Sequence, residues 1–150
     1  MLKIIKSKKL KYHSKMYNHI TPENINFLRS RPWYQSKVYD PINDKLNKIC
    51  PHTHVVAVPW SVIDITTPDC VEFNPEKTRV ICKKMRDSDC HNNCDDLYKS
   101  NKITSVYTGF ALSDDGKWRL HSWGIDRNGH IIETTCERVM YYGKIIRSKL

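Results

Sequence analysis

The chain has 150 residues, of which 39% are hydrophobic and 27% charged, with a formal charge of +9 and a pI near 9.3. This length and mix suit one globular domain over residues 1–150 and exclude low-complexity and fibrous chains. No apolar run approaches 18 residues, so no membrane span is expected.

The first segment, MLKIIKSKKLKYHSK, carries Lys3, Lys6, Lys8, Lys9, Lys11 and Lys15. It has no apolar h-region and no small-residue cleavage site, so it does not read as a secretory signal. We read residues 1–15 as a basic, flexible arm, able to contact a polyanion through counterion release. No RNP motif, helix-turn-helix pattern or complete zinc-finger spacing accompanies the charge. The six cysteines (50, 70, 82, 90, 94 and 136) are expected to be free thiols in a reducing cytoplasm.

Residues 1–50 look helical and irregular. Thr21-Pro22-Glu23 is an N-cap followed by Pro at the first helical position, with Ile25 and Leu28 at helical spacing. That helix should stop before Pro32. Trp33, Tyr34 and Tyr39 read as packing aromatics. From His54 the texture turns to strands: HVVAVPWSVIDITT is rich in β-branched residues, and TRVICKK is a second short strand. No repeat and no Gly/Ser linker divides the chain.

The pattern is sharpest from Asp87 onward. Ser88 or Asp89 is placed to cap a helix of about ten residues. Cys90, Cys94, Leu97 and Tyr98 fall on one face of it, with Cys90 in the first turn. KITSVYTGFAL, KWRLHSWGI, HIIETT and VMYYGKII follow as strands. SDDG (113–116) and DRNG (126–129) each put Ser or Asp first and Gly fourth, which favours a type I turn closed by a left-handed Gly. The predicted fold is therefore α+β, with short helices packed on an antiparallel sheet.

Register decides what the second hairpin can do. If the loop is Arg127-Asn128-Gly129, Trp123 faces Glu133, and His121 and Glu133 are diagonal neighbours on one face, roughly 7–8 Å apart at the backbone. If Asn128-Gly129 makes a two-residue loop, Glu133 points to the other face. In the first register Cys90, His121 and Glu133 are candidates for a thiolate, an imidazole that moves its protons, and a carboxylate that holds the imidazole. A helix N-terminus favours the thiolate through its unpaired N–H groups and dipole, and offers the Cys90 main-chain N–H to an oxyanion. Asp89 opposes this with a negative charge unless it is spent on capping. Trp60, Gln35 and Asn93 are candidates for a second oxyanion donor.

Helix-borne Cys90, then His121-Ser122-Trp123 on a strand, then Glu133-Thr134-Thr135 on the next, resembles the transglutaminase-like and papain-like superfamily. The resemblance covers residues 89–143. Two positions depart from the pattern: the acid is Glu133 where Asp or Asn is usual, and Cys90 is followed by His91-Asn92-Asn93 instead of a bulky apolar residue. The resemblance implies a helix packed on an antiparallel sheet and a nucleophile at the helix N-terminus. It also implies acyl transfer on an amide of a protein or peptide, as a peptidase, deamidase or transglutaminase, with no cofactor.

The competing class is an interaction module, either basic and nucleic-acid-binding or zinc-stabilised. Cys50-Pro51-His52 and Cys90-His91-x-x-Cys94 each supply close ligand types, so Cys50, His52, Cys90 and Cys94 form the alternative metal set. In that reading His121 is incidental.

Overall fold

The computed structural model describes residues 29–50, 64–114 and 116–150. They form two helices and six strands: α1 (Ser36–Ile49), β1 (Val71–Phe73), β2 (Val80–Cys82), α2 (Cys90–Lys99), β3 (Ser105–Leu112), β4 (Trp118–Ile125), β5 (Ile131–Glu133) and β6 (Met140–Ser148). The strands make one curled sheet, a half-barrel, in the order β1-β6-β3-β4-β5-β2. The α+β class is as expected. The sheet is mixed, not purely antiparallel, because β2 runs parallel to β5 while every other pair is antiparallel. The connection from β2 to β5 passes through α2, β3 and β4, which is long enough to permit a parallel return.

Alternation along β3 and β4 sorts the core into two faces. Even-numbered residues meet the helices. Phe110, Leu112 and Trp118, with Met140 and Tyr142 of β6, pack against Ile42, Leu46 and Cys50 of the α1 region. Val106, with Ile132 of β5, packs under Cys94 and Leu97 of α2. The odd-numbered side holds Ala111, Trp123, Ile131 and Tyr141, edged by Phe73 and Tyr107. Among the described residues no helical residue belongs to this second cluster, and Trp123 and Tyr141 have no exposed surface.

Two glycines permit that curl. Gly109 of β3 lies opposite both His121 of β4 and Gly143 of β6. A Cβ on Gly109 would stand 2.2 Å from the Tyr142 carbonyl oxygen, and one on Gly143 would stand 2.4 Å from that of Thr108. The backbones of β3 and β6 therefore approach closer than any side chain allows, which lets the strands bend sharply.

The hairpin loops are as the sequence predicts. Gly116 and Gly129 have φ of 85° and 78°, and each donates its N–H to the first residue of its turn, Ser113 or Asp126, at 3.1 Å. Asp126 N–H bonds the His130 carbonyl, and Gly124 pairs with Ile132, so the second loop is Arg127-Asn128-Gly129. Helix α1 was not foreseen as an element. Its buried residues Tyr39, Ile42, Asn43 and Leu46 have helical spacing, but Pro41 lies inside it. A proline removes one helical hydrogen bond and reads as a break. Packing offsets that loss: Tyr34 stacks on Tyr39 with ring centroids 5.2 Å apart and accepts from Asn43 at 2.8 Å. Tyr34 and Tyr39 are thus core aromatics, whereas Trp33 is 41% exposed.

Most of the expected helix after Thr21, and residues 54–63 of the expected strand, lie outside the described residues, as do Lys3 to Lys15. The end of that stretch, residues 64–67, is irregular: Asp64 accepts from the Thr66 N–H at 2.9 Å and its hydroxyl at 2.6 Å. No helix among the described residues is long and apolar enough to cross a membrane. No disulfide links any of the six cysteines.

Candidate functional site

Cys90 is the first residue of α2, which follows β2 after the loop of residues 83–89. That segment is fixed along β5 and beyond: Lys83 N–H bonds the Glu133 carbonyl at 2.7 Å, and Met85 N–H bonds that of Thr134 at 2.8 Å. Asn93, fully buried in the first turn of α2, donates to the Arg86 carbonyl at 2.8 Å and to the Thr134 hydroxyl at 3.3 Å. One side chain thus ties the helix start to both the preceding loop and the residue after Glu133. Asn93 serves there as an anchor. Gln35 is exposed beside α1, and Trp60 lies outside the described residues.

The expected cap is different in detail. Asp89 occupies the N-cap position but makes no side-chain capping bond, and Ser88 takes a positive φ of 55°. The Asp89 carboxylate instead accepts from Arg86 Nε at 2.8 Å and from Asn92 Nδ2 at 2.8 Å. Its charge is opposed by a guanidinium, which weakens its effect on the neighbouring thiol.

His121, from the middle of β4, is 2% exposed. Its Nε2 lies 2.9 Å from both carboxylate oxygens of Glu133, the last residue of β5. The diagonal contact across the hairpin follows from the register set by the Asp126 turn. Glu133 is 1% exposed and well supplied with donors. Thr135 hydroxyl donates to Oε1 at 2.8 Å, and Tyr141 hydroxyl donates to Oε2 at 3.0 Å. Arg138 Nε stands 4.0 Å from Oε1. The His121 ring lies between Trp123 and Tyr141, with centroids 6.3 Å from each and planes tilted by 24° and 30°.

Cys90 interacts with the imidazoles of His121 and His91 and with the main-chain N–H of Ser122. Burial alone would raise the Cys90 pKa, but these donors and the His121 charge bring it down to about 5. Burial would likewise lower that of His121, and its bonds to Cys90 and Glu133 outweigh this and raise it. Burial pushes Glu133 up, and His121, Thr135 and Arg138 hold it below its usual range. All three shifts run in the direction that favours a thiolate, an imidazolium and a carboxylate. Cys94, four residues along the same helix, has no such donors, and burial pushes its thiol up to about 12.

A thiolate beside an imidazolium is the attacking form of cysteine, and the imidazolium can return a proton to a departing group. The structure brings Cys90, His121 and Glu133 together. The alternative metal set is not assembled in the same way: Cys50 packs in the cluster under α1, Cys94 in the separate cluster under α2, and His52 lies outside the described residues. Among the described residues no group of three His, Cys, Asp or Glu is placed to hold a metal ion.

Sequence reasoning missed His91, Ser122, Thr108, Tyr141 and Arg138. His91 Nδ1 lies 2.5 Å from Ser122 Oγ, which lies 2.6 Å from Thr108 Oγ1. The cross-strand pairing of Thr108 with Ser122 follows once β3 and β4 are in register, so that link had a signal. Tyr141 had none, since β6 is separated from β5 by β3 and β4 and only the curl brings them together. Neither a protein-family model, nor a curated protein, nor a solved structure matches the chain.

Proposed function

We propose that the chain is a cysteine-dependent acyl-transfer enzyme acting on an amide of a protein or peptide, as a peptidase, deamidase or transglutaminase-like enzyme. The observation that carries this reading is the buried His121–Glu133 pair, with Nε2 at 2.9 Å from the carboxylate, whose imidazole also interacts with Cys90. Buried ion pairs of this kind cost desolvation and are weak devices for stability, whereas they are what a nucleophile at neutral pH requires.

In the proposed cycle the Cys90 sulfur attacks the amide carbonyl carbon, and the electron pair moves to oxygen. As the first residue of α2, Cys90 has a main-chain N–H without a partner inside the helix, and this donor faces the oxyanion role. His121 gives its proton to the nitrogen, the C–N bond breaks, and amine or ammonia leaves. The thioester then meets water or a second amine, His121 takes the proton from that nucleophile, and the C–S bond breaks to restore the thiolate. Glu133 stays ionised and keeps the ring in one tautomer and orientation. A low-pKa thiolate among six unlinked cysteines suits a reducing compartment such as the cytoplasm.

The test is acyl-enzyme trapping. Incubation with an activated aryl ester should place one acyl group on Cys90, seen by intact mass and peptide mapping. Amide turnover on glutamine- and peptide-amide libraries should fall roughly 10³-fold or more in His121→Ala. The loss in Glu133→Gln should be smaller. Acylation spread over Cys70, Cys82 and Cys136, or unaffected by His121→Ala in folded protein, would sink the reading.

A further inference from the structure

The immediate neighbour of Cys90 has a supporting structure of its own. His91 is at the solvent-facing rim of α2, yet its ring is tethered: Nδ1 meets Ser122 Oγ at 2.5 Å, and that hydroxyl meets Thr108 Oγ1 at 2.6 Å. Ser122 and Thr108 are buried polar residues on the helix-facing side of β4 and β3, whereas His121 lies on the opposite face. A buried hydroxyl pair is costly unless its bonds are made, so the three-residue chain gives the imidazole one preferred setting. The ring also interacts with the adjacent Cys90, which is the first cause of its raised pKa.

Resting on the reading of Cys90 as nucleophile, we propose that His91 is a second positioning residue of the site, holding the Cys90 sulfur as a thiolate from the helix-facing side while the Ser122–Thr108 hydroxyl pair fixes its ring. The proton arrangement closes. A protonated His91 donates from one nitrogen to sulfur and from Nδ1 to Ser122 Oγ, and Ser122 donates onward to Thr108. The charged groups facing His91 are Cys90, His121 and Asp89. Asp89 is paired with Arg86, and the like charge of His121 opposes protonation of His91. The thiolate is the partner common to both rings, and its bond to His91 is the foremost cause of that imidazole's raised pKa. The two imidazoles are not equivalent. His121 is locked to Glu133 and is the ring placed to shuttle protons. His91 has a hydroxyl partner instead of a carboxylate, so it serves the charge on sulfur alone.

The experiment measures the rate of Cys90 alkylation by iodoacetamide against pH, without substrate, in wild type, His91→Gln, Ser122→Ala, His121→Ala and the His91→Gln/His121→Ala double variant, with circular dichroism as the fold control. His91→Gln should shift the profile upward and slow labelling about threefold to tenfold near pH 6, because each unit of pKa costs about tenfold in thiolate below both midpoints. Ser122→Ala should shift it in the same direction by less. The double variant should be slower than either single histidine variant. Profiles for His91→Gln and Ser122→Ala that superimpose on a wild type with a low midpoint overturn this inference alone. A wild-type midpoint at an ordinary thiol value, roughly 8.5, overturns the nucleophile as well.

Discussion

Cys90 and Cys94 lie one helical turn apart and differ in every respect that decides thiol chemistry. Both are shielded, but only Cys90 has donors: two imidazoles and a main-chain N–H lower its pKa to about 5, while bare burial raises that of Cys94 to about 12. The contrast gives opposite expectations for the same substitution. Cys90→Ala should abolish acyl transfer and leave the melting temperature almost unchanged, since a half-buried thiol at a helix start carries little packing. Cys94→Ala should cost about 1–3 kcal/mol, because its side chain has no exposed surface and lies against Leu97, Ile103, Val106 and Ile132. Thermal melts of the two variants beside wild type check this. Collapse of the Cys90 variant, or of wild type on chelation, would instead point to the metal set of Cys50, His52, Cys90 and Cys94. At this scale the sequence was informative about residue types and order. It was silent about Asp89, whose carboxylate goes to Arg86 and Asn92 instead of capping the helix.

The β4–β5 hairpin shows why some elements can be read and others cannot. Asp126 and Gly129 fix the turn locally, the turn fixes the register, and the register puts Glu133 diagonal to His121. Each step depends on a few adjacent residues. The parallel pairing of β2 with β5 and the three-residue strand β1 depend on partners 50 or more positions away, and nothing local marks them. Helix α1 was hidden by Pro41, whose local cost is outweighed by packing against β3 and β6. The glycines make the same point as a prediction. Gly129→Ala meets open space and should cost only the left-handed strain, about 1–2 kcal/mol. Gly109→Ala drives a methyl group into the β6 backbone and should cost at least about 2 kcal/mol, and it should also lower Cys90 reactivity, because Gly109 faces His121. Chemical denaturation and alkylation of the two variants separate the cases. Equal destabilisation, with Cys90 reactivity kept in both, would show that the β3–β6 approach does not position the site.

For the whole molecule, the curl of the sheet joins what the chain order separates. Tyr141 of β6 reaches Glu133 of β5 across β3 and β4, so the carboxylate that pairs with His121 is held by strands that are not neighbours in the sheet. Such closure has no sequence signal, because it depends on the sum of strand twists and on two glycines facing each other. The net charge of +9 is also a property of the whole chain, and six lysines between Lys3 and Lys15 contribute to it. They lie outside the described residues, and a partner they attract can be tested apart from the chemistry. If these lysines engage a polyanion, each neutralised phosphate adds nearly one unit to the slope of log affinity against log salt. Binding to heparin or RNA should then fall steeply between low and roughly 0.5 M salt. Replacing the six lysines by glutamine should remove most of that slope while leaving acylation of Cys90 unchanged. Fluorescence anisotropy over a salt series reads the first effect and intact mass the second. Binding that persists at high salt, or survives the six replacements, would place the anionic contact on another part of the surface.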